Sequence, residues 1–227
     1  MKKIFSLLAG VLLILLVAGC GKETPKVEVI PENKAATEKI ELNADDKILV
    51  VYFSNPESDN AETMTTEEAK SAVVVDKKVV GNTQYIAQII QQNTGADIFR
   101  IEPAMPYPMN HGELEQIATQ EKHDAALPAI KNKIENFDDY KIFFVGYPIW
   151  YGDMPRILYS FLKNYNFAGK TIVPFVTSGG SGFGNTINEI KNIHPDAKVI
   201  ENGLSVKQEV IKSSDKEIKN WLADLGF

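Results

Sequence analysis

The chain alternates short, strongly apolar runs with longer segments in which apolar residues recur every three or four positions. The first run, residues 48–53, is apolar and largely β-branched, which is typical of a strand covered on both faces. We expect four further strands, over residues 97–101, 141–147, 171–177 and from residue 198 onward.

The segments with helical spacing lie between and after these runs. We expect helices over residues 81–93, 114–133, 155–164, 186–193 and 215–225. The second is polar and is interrupted near Pro128, and the last follows Ser214, which is expected to act as its N-cap.

Strands that alternate with helices in this way predict an α/β fold, with a mostly parallel sheet and helices on both faces. In such sheets, ligands bind beyond the carboxyl ends of the strands, where the strand order switches. The segments that follow the strands are therefore the candidate binding segments.

The first strand ends at Ser54, and a helix start, Gly81-Asn82-Thr83, comes only after the interruption 55–80. Joined, the two pieces would bring hydroxyl groups and backbone N–H groups together where a phosphate could bind. Taken alone, Ser54 could simply end a strand, and Asn82 and Thr83 could simply begin a helix.

Two other loops carry different chemistry. After the third strand come Pro148, Ile149, Trp150, Tyr151 and Gly152, and after the fourth come Ser178, Gly179, Gly180 and Gly182. The aromatic residues could be ordinary core residues, and the glycines could form a tight turn. Together with the first loop, however, they form the set that a flat aromatic ligand with a phosphate tail would need.

With these loops, residues 47–226 resemble the flavodoxin family, most specifically through Gly-Tyr-Pro-Ile-Trp-Tyr-Gly at 146–152. The resemblance implies a flavodoxin-like, doubly wound, five-stranded parallel sheet that binds FMN. It implies that Ser54 and the helix start at 81–83 hold the phosphate. It also implies that 148–152 line the isoalloxazine, with Trp150 or Tyr151 stacking on it, and that 178–182 contact its pyrimidine edge.

The interruption at 55–80 departs from short-chain flavodoxins and leaves open which of its residues touch the phosphate. Residues 72–80 are expected to form a small hairpin over the site, with a turn at 76–78. Lys77 and Lys78 are interpreted as a solvated turn rather than as a phosphate clamp.

The N-terminal segment is expected to target the protein rather than to fold with it. Residues 1–20 have two early lysines, an apolar core and small residues before Cys20, the one cysteine of the chain. They resemble a bacterial lipoprotein signal, which implies lipidation of Cys20 and a membrane anchor outside the cytoplasm. The polar residues 21–46 are interpreted as a flexible tether to a domain at 47–227.

Other chemistries are disfavoured. The formal net charge of −6 argues against a nucleic-acid surface. Around Ser181 the nucleophile elbow fails at Phe183, and the dinucleotide fingerprint that starts at Gly180 fails at Asn185. The three histidines show no metal-ligand spacing and are expected at the surface, so we expect neither a metal site nor a catalytic side chain.

The sequence therefore predicts a membrane-anchored FMN protein that transfers electrons to a redox partner protein or a small-molecule acceptor. Two alternatives stay open. One is an FMN-dependent NAD(P)H:quinone or flavin reductase, and the other is a non-redox surface lipoprotein that retains the fold.

Overall fold

The computed structural model describes residues 38–227. The predicted signal segment, Cys20 and the tether as far as residue 37 lie outside the described residues. Among the described residues, no helix is long and apolar enough to cross a membrane.

Eight strands and five α-helices form the described domain. The strands are β1 (Lys47–Tyr52), β2 (Ala72–Val75), β3 (Lys78–Gly81), β4 (Asp97–Arg100), β5 (Tyr140–Pro148), β6 (Thr171–Ser178), β7 (Lys198–Val199) and β8 (Leu204–Lys207). The helices are α1 (Asn82–Thr94), α2 (His111–His123), α3 (Arg156–Asn164), α4 (Thr186–Ile193) and α5 (Asp215–Leu225). Three short 3-10 helices lie at Glu68–Lys70, Phe137–Asp139 and Gln208–Ser213.

The main sheet is parallel, in the order β4-β1-β5-β6-β7, and β8 also pairs with β6. The fifth strand is thus split in two, because the chain leaves β6 after Ile200 and rejoins it at Leu204. The strand order reverses between β1 and β5, which places the switch point above the end of β1. The predicted α/β fold is confirmed.

Both faces of the sheet are covered, which explains the continuous apolar runs. Neighbouring residues of β1 point to opposite sides: Val50 packs in the layer with α1 and α5, and Val51 in the layer with α3 and α4. Gly146 of β5 leaves room for the ring of Phe175, which would lie 2.0 Å from a Cβ at that position.

Two details of the helices differ from the sequence prediction. The second helix ends at His123, and Lys131 instead donates a backbone hydrogen bond to Glu102 O, so this segment runs beside the loop after β4. Ser214 does not cap α5, because its hydroxyl donates to Ile211 O at 2.7 Å.

The ordered domain begins before residue 47. Ile40 is only 7% exposed, and its N–H donates to Leu225 O at 2.9 Å. Glu38 forms an ion pair with Lys198 at 2.9 Å. Part of the predicted flexible tether, at Glu38 and Ile40, therefore contacts the domain instead. Ile40 and Leu42 alternate with polar residues, but two positions are too short a pattern to indicate a buried segment.

This boundary can be tested by truncating side chains in the same segment. Ile40→Ala should lower the free energy of unfolding by about 2–4 kcal/mol, because it removes buried apolar atoms from the core. Leu42 is 40% exposed, so Leu42→Ala should change it by less than about 0.5 kcal/mol. Urea denaturation of both variants measures the difference, and equal midpoints would contradict the assignment.

Candidate functional site

A cavity of about 320 Å³ lies at the carboxyl ends of β1, β5 and β6, the edge expected for a ligand site. Nine of the predicted site residues line it: Ser54, Asn82, Thr83, Pro148, Ile149, Trp150, Tyr151, Ser178 and Gly179. The other four, Gly81, Gly152, Gly180 and Gly182, do not line it. All three predicted loops therefore meet at one cavity.

The two halves of the interrupted first loop are in contact. A Cβ at Gly81 would lie 2.1 Å from Ser54 Oγ and 3.2 Å from Ser54 Cβ. Only a residue without a side chain allows this approach. Gly81 thus contributes room for the buried Ser54 rather than a surface of the cavity.

The N-terminus of α1 has no side-chain cap, since Gly81 occupies the N-cap position. The N–H of Asn82 donates to Ser71 O at 2.9 Å. The next N–H groups of the first turn have no partner inside the helix, because no carbonyl precedes them at helical spacing. Unpaired N–H groups and the helix dipole favour an anion at this end. The first turn of α1 is therefore the part of the cavity suited to a phosphate.

A buried pair of hydroxyls joins this helix to the sheet. Thr83 Oγ1 lies 2.9 Å from Thr177 Oγ1, near the end of β6. Thr177 also lines the cavity but was not among the predicted site residues. Its position at the end of a predicted strand is the sequence feature that could have identified it as a site residue.

The aromatic loop forms a tight turn. Trp150 and Asp153 exchange backbone hydrogen bonds at 2.9 and 3.0 Å, and Tyr151 and Gly152 have φ angles of 53° and 74°. This left-handed pair turns Tyr151 outward, where it is 48% exposed. Gly152 serves the turn and does not line the cavity.

Other aromatic residues pack against the ring of Trp150. Its ring packs edge-on against Phe53 at 5.6 Å and against Tyr107 at 5.4 Å. The Tyr107 hydroxyl donates to both carboxylate oxygens of Glu121, at 2.8 and 3.1 Å. Burial raises the pKa of Tyr107 and also that of Glu121. The Trp150 side chain is thus held by contacts with residues that are distant in sequence, and no sequence motif indicated these contacts.

The glycine loop contributes only its first half to the cavity. Ser178 and Gly179 line it, and the N–H of Gly180 donates to Ser178 Oγ at 3.2 Å. Gly180 and Gly182 adopt φ angles of 116° and 62°, which turn the chain away. Their predicted place in the site is therefore not supported by the geometry.

The insertion lines the cavity, but with a different part than predicted. Its cavity residues are Asn55, Glu57, Glu67, Lys70 and Ser71. The hairpin of β2 and β3 does form, with Asp76 and Lys77 in its turn. However, Val73 packs in the core layer with α1, and none of the residues 72–81 lines the cavity. The hairpin does not cover the site.

Gln208, the first residue of the 3-10 helix Gln208–Ser213, also lines the cavity and was not predicted. Helix α2 supplies the remaining residues that sequence reasoning missed: His111, Leu114, Glu115 and Ala118. They lie in a polar segment without a motif. His111 Nδ1 is 2.8 Å from Glu57 Oε2, so it connects α2 to the insertion. His194 also departs from a plain surface role, because its Nε2 lies 2.8 Å from Leu162 O and its ring packs 4.8 Å from Phe167.

The cavity carries more acidic than basic side chains. Glu57, Glu67 and Glu115 line it, and Lys70 is the one lysine or arginine among its described lining residues. Lys70 Nζ lies 2.5 Å from Glu67 Oε2, and this hydrogen bond lowers the pKa of Glu67. Among the described residues, no group of three acidic, histidine or cysteine side chains is placed to hold a metal ion.

Comparison with known proteins identifies the family. A sequence model described as flavodoxin matches residues 71–225, which is more than half of the chain. The chain belongs to the flavodoxin family. This match includes Asn82, Thr83 and both later loops of the cavity, and it begins inside the insertion, after Ser54.

Solved structures agree with this flavodoxin assignment. A candidate flavoprotein from Bacteroides eggerthii is 31% identical, with a TM-score of 0.59, and the match covers 80% of this chain and 98% of that one. A candidate flavoprotein from Bacteroides uniformis is 26% identical, with a TM-score of 0.58 and coverage of 78% and 98%.

A more distant flavoprotein, from Lactobacillus acidophilus, was solved in complex with FMN. It is 17% identical, with a TM-score of 0.53 and coverage of 78% and 99%, and at this identity the likeness shows the fold alone. The search of curated proteins found no match.

The contact between the loop halves gives a test of the flavodoxin site. Gly81→Ala should lower the free energy of unfolding by about 1–3 kcal/mol, because its methyl group would overlap Ser54. Gly112→Ala is the control, since a Cβ there would lie 3.5 Å from its nearest neighbour and should cost nothing. Thermal denaturation compares the two, and a Gly81→Ala variant as stable as Gly112→Ala would contradict the close approach.

Proposed function

We propose that this protein is an FMN-dependent electron carrier that is held at the outer side of a membrane by a lipid on Cys20. The observation that supports the proposal best is the meeting of three chemically different loops at one cavity. Hydroxyls and a helix N-terminus, an aromatic turn, and a serine–glycine backbone together suit a phosphorylated, flat, polar-edged cofactor.

The residues present fit FMN at its phosphate end. Ser54, Asn82 and Thr83 lie around the uncapped start of α1, and the glycine at 81 lets the Ser54 hydroxyl approach. A helix N-terminus with open N–H groups is well suited to a phosphate. The cavity volume of about 320 Å³ is also within the usual range for a small-molecule site.

The other walls fit the ring. Pro148, Ile149 and Trp150 provide apolar and aromatic surface, and Ser178 and Gly179 provide backbone groups for a polar edge. The Lactobacillus acidophilus flavoprotein, which shares the fold, was solved with FMN. We therefore infer that FMN is the cofactor of this chain.

The bound flavin would supply the redox chemistry, while the chain would bind it and exclude water from it. Tyr151 is 48% exposed, so one wall of the cavity can be reached from solvent, as electron exchange with a partner requires. The redox partner is a protein or a small-molecule acceptor.

The dinucleotide fingerprint that starts at Gly180 fails at Asn185, so no nicotinamide motif supports a reductase over a carrier. The alternative function, an NAD(P)H:quinone or flavin reductase, draws its support from the exposed Tyr151. A colourless protein that does not retain added FMN would instead favour the non-redox lipoprotein.

Flavin binding gives the first test of this function. The purified full-length protein should be yellow or should bind added FMN, as followed by quenching of flavin fluorescence. Thr83→Val should weaken FMN binding about tenfold, because it removes a hydroxyl at the helix start and leaves the Thr177 hydroxyl unpaired. Thr83→Ser keeps the hydroxyl and should retain most of the affinity. Equal affinity of the two variants would place the phosphate elsewhere.

Turnover separates the carrier from the reductase. The FMN-loaded protein should not oxidise NADH or NADPH at an appreciable rate with a soluble quinone as acceptor. It should exchange electrons with chemical reductants and with one-electron acceptors. Rapid, saturable NAD(P)H oxidation would support the reductase instead.

The anchor is tested by labelling cells with radioactive palmitate. The wild-type protein should incorporate the label and remain with membranes, whereas Cys20→Ala should do neither, because it removes the one thiol of the chain. Label that survives this substitution would overturn the proposed anchor.

A further inference from the structure

Lys70 stands out among the charged residues of the cavity. It is the last residue of the short 3-10 helix Glu68–Lys70 in the insertion, and it is the one lysine or arginine among the described lining residues. The carboxylates of Glu57, Glu67 and Glu115 line the same space. An anion that entered would therefore meet three negative side chains and this single ammonium group.

The backbone at Lys70 is fixed to the start of α1. Asn82 donates through Nδ2 to Lys70 O at 2.7 Å and through its backbone N–H to Ser71 O at 2.9 Å. The N–H of Glu57 donates to Ser71 Oγ at 2.8 Å, which holds the first part of the insertion to the same point. These bonds hold the backbone of Lys70 beside the helix N-terminus, and its side chain is about half exposed.

A second, independent observation indicates a ligand at this place. Asn82 is only 3% exposed and lines the cavity, yet its Oδ1 has no hydrogen-bond partner among the described residues. Because its Nδ2 must face the Lys70 carbonyl, Oδ1 cannot exchange places with it. A buried acceptor of this kind calls for an O–H or N–H donor. A ligand group that donates an O–H or N–H at this place would satisfy the Asn82 oxygen.

The ammonium group of Lys70 is held loosely at present. It pairs with Glu67 at 2.5 Å, but both side chains are more than half exposed. Exposed ion pairs of this kind contribute little to stability, so Lys70 can leave Glu67 at small cost. A phosphate at the start of α1 offers two charges and several acceptor oxygens, which makes it the stronger partner.

We propose that Lys70 changes partner, from Glu67 in the free protein to the phosphate of the bound ligand. The insertion thereby acts as a specificity element that selects a phosphorylated flavin over an unphosphorylated one. Glu67 competes with the phosphate for the same ammonium group. This inference rests on the proposed binding of FMN, and it concerns the selectivity of that binding.

The experiment compares FMN with riboflavin, which lacks the phosphate. Each flavin is titrated against the full-length protein at low and at high salt, and binding is followed by fluorescence quenching. The variants are Lys70→Gln, Glu67→Gln and the control Lys77→Gln. Lys77 belongs to the same insertion but lies in the hairpin turn, outside the cavity.

Lys70→Gln should weaken FMN binding about tenfold and leave riboflavin binding unchanged. Its affinity for FMN should also depend less on salt than that of the wild type, since one charge contact is lost. Glu67→Gln should change FMN binding in the opposite direction, with a few-fold gain, because the competing carboxylate is gone. Lys77→Gln should match the wild type with both flavins.

The outcomes distinguish this inference from the function on which it rests. If the wild type binds FMN but Lys70→Gln matches Lys77→Gln, the role of Lys70 is overturned and the proposed function stands. An equal loss of FMN and riboflavin in Lys70→Gln would also overturn it, since that result indicates damage to the whole site. A wild-type protein that binds neither flavin overturns both proposals.

Discussion

The site depends on the contact that closes its interrupted first loop. Ser54 and Gly81 are separated by the insertion at 55–80, yet a side chain at 81 would overlap the Ser54 hydroxyl. The hydrogen bonds from Asn82 to Lys70 O and Ser71 O close the loop from the other side. They hold the insertion to the start of α1, while the buried isoleucines of α1 pack against the sheet.

The rest of the cavity follows from the order of the strands. β1 lies between β4 and β5, and β6 follows β5, so the loops after β1, β5 and β6 share one edge of the sheet. Thr83 and Thr177 then fasten the first and third of these loops together through a buried hydroxyl pair. A parallel sheet thus gathers segments that are far apart in the sequence, and each brings chemistry that the others lack.

The local sequence pattern predicted much of this arrangement, because strands, helices and loop motifs depend mainly on residues that are close in sequence. Helices α4 and α5 have the predicted bounds, and the hairpin turn predicted at 76–78 lies at 76–77. What could not be predicted depends on contacts between distant residues. Ile40 is buried by α5, and Glu57 meets His111 across 54 positions of sequence. Glu57 and His111 belong to no motif, and the alternation at Ile40 and Leu42 is too short to indicate burial.

The insertion also shows that a local sequence pattern does not predict which distant surface a segment contacts. Its β-branched run at 73–75 correctly predicted strands, but those strands bury Val73 against the core and leave the cavity to the less regular residues before them. Apolar strands are drawn to apolar surface, whereas polar residues of a loop can remain beside a polar cavity. In an insertion that reaches a phosphate site, the charged irregular part is therefore the part to examine for ligand contacts. Here that part contains Lys70 and Glu67, which line the cavity and pair with each other.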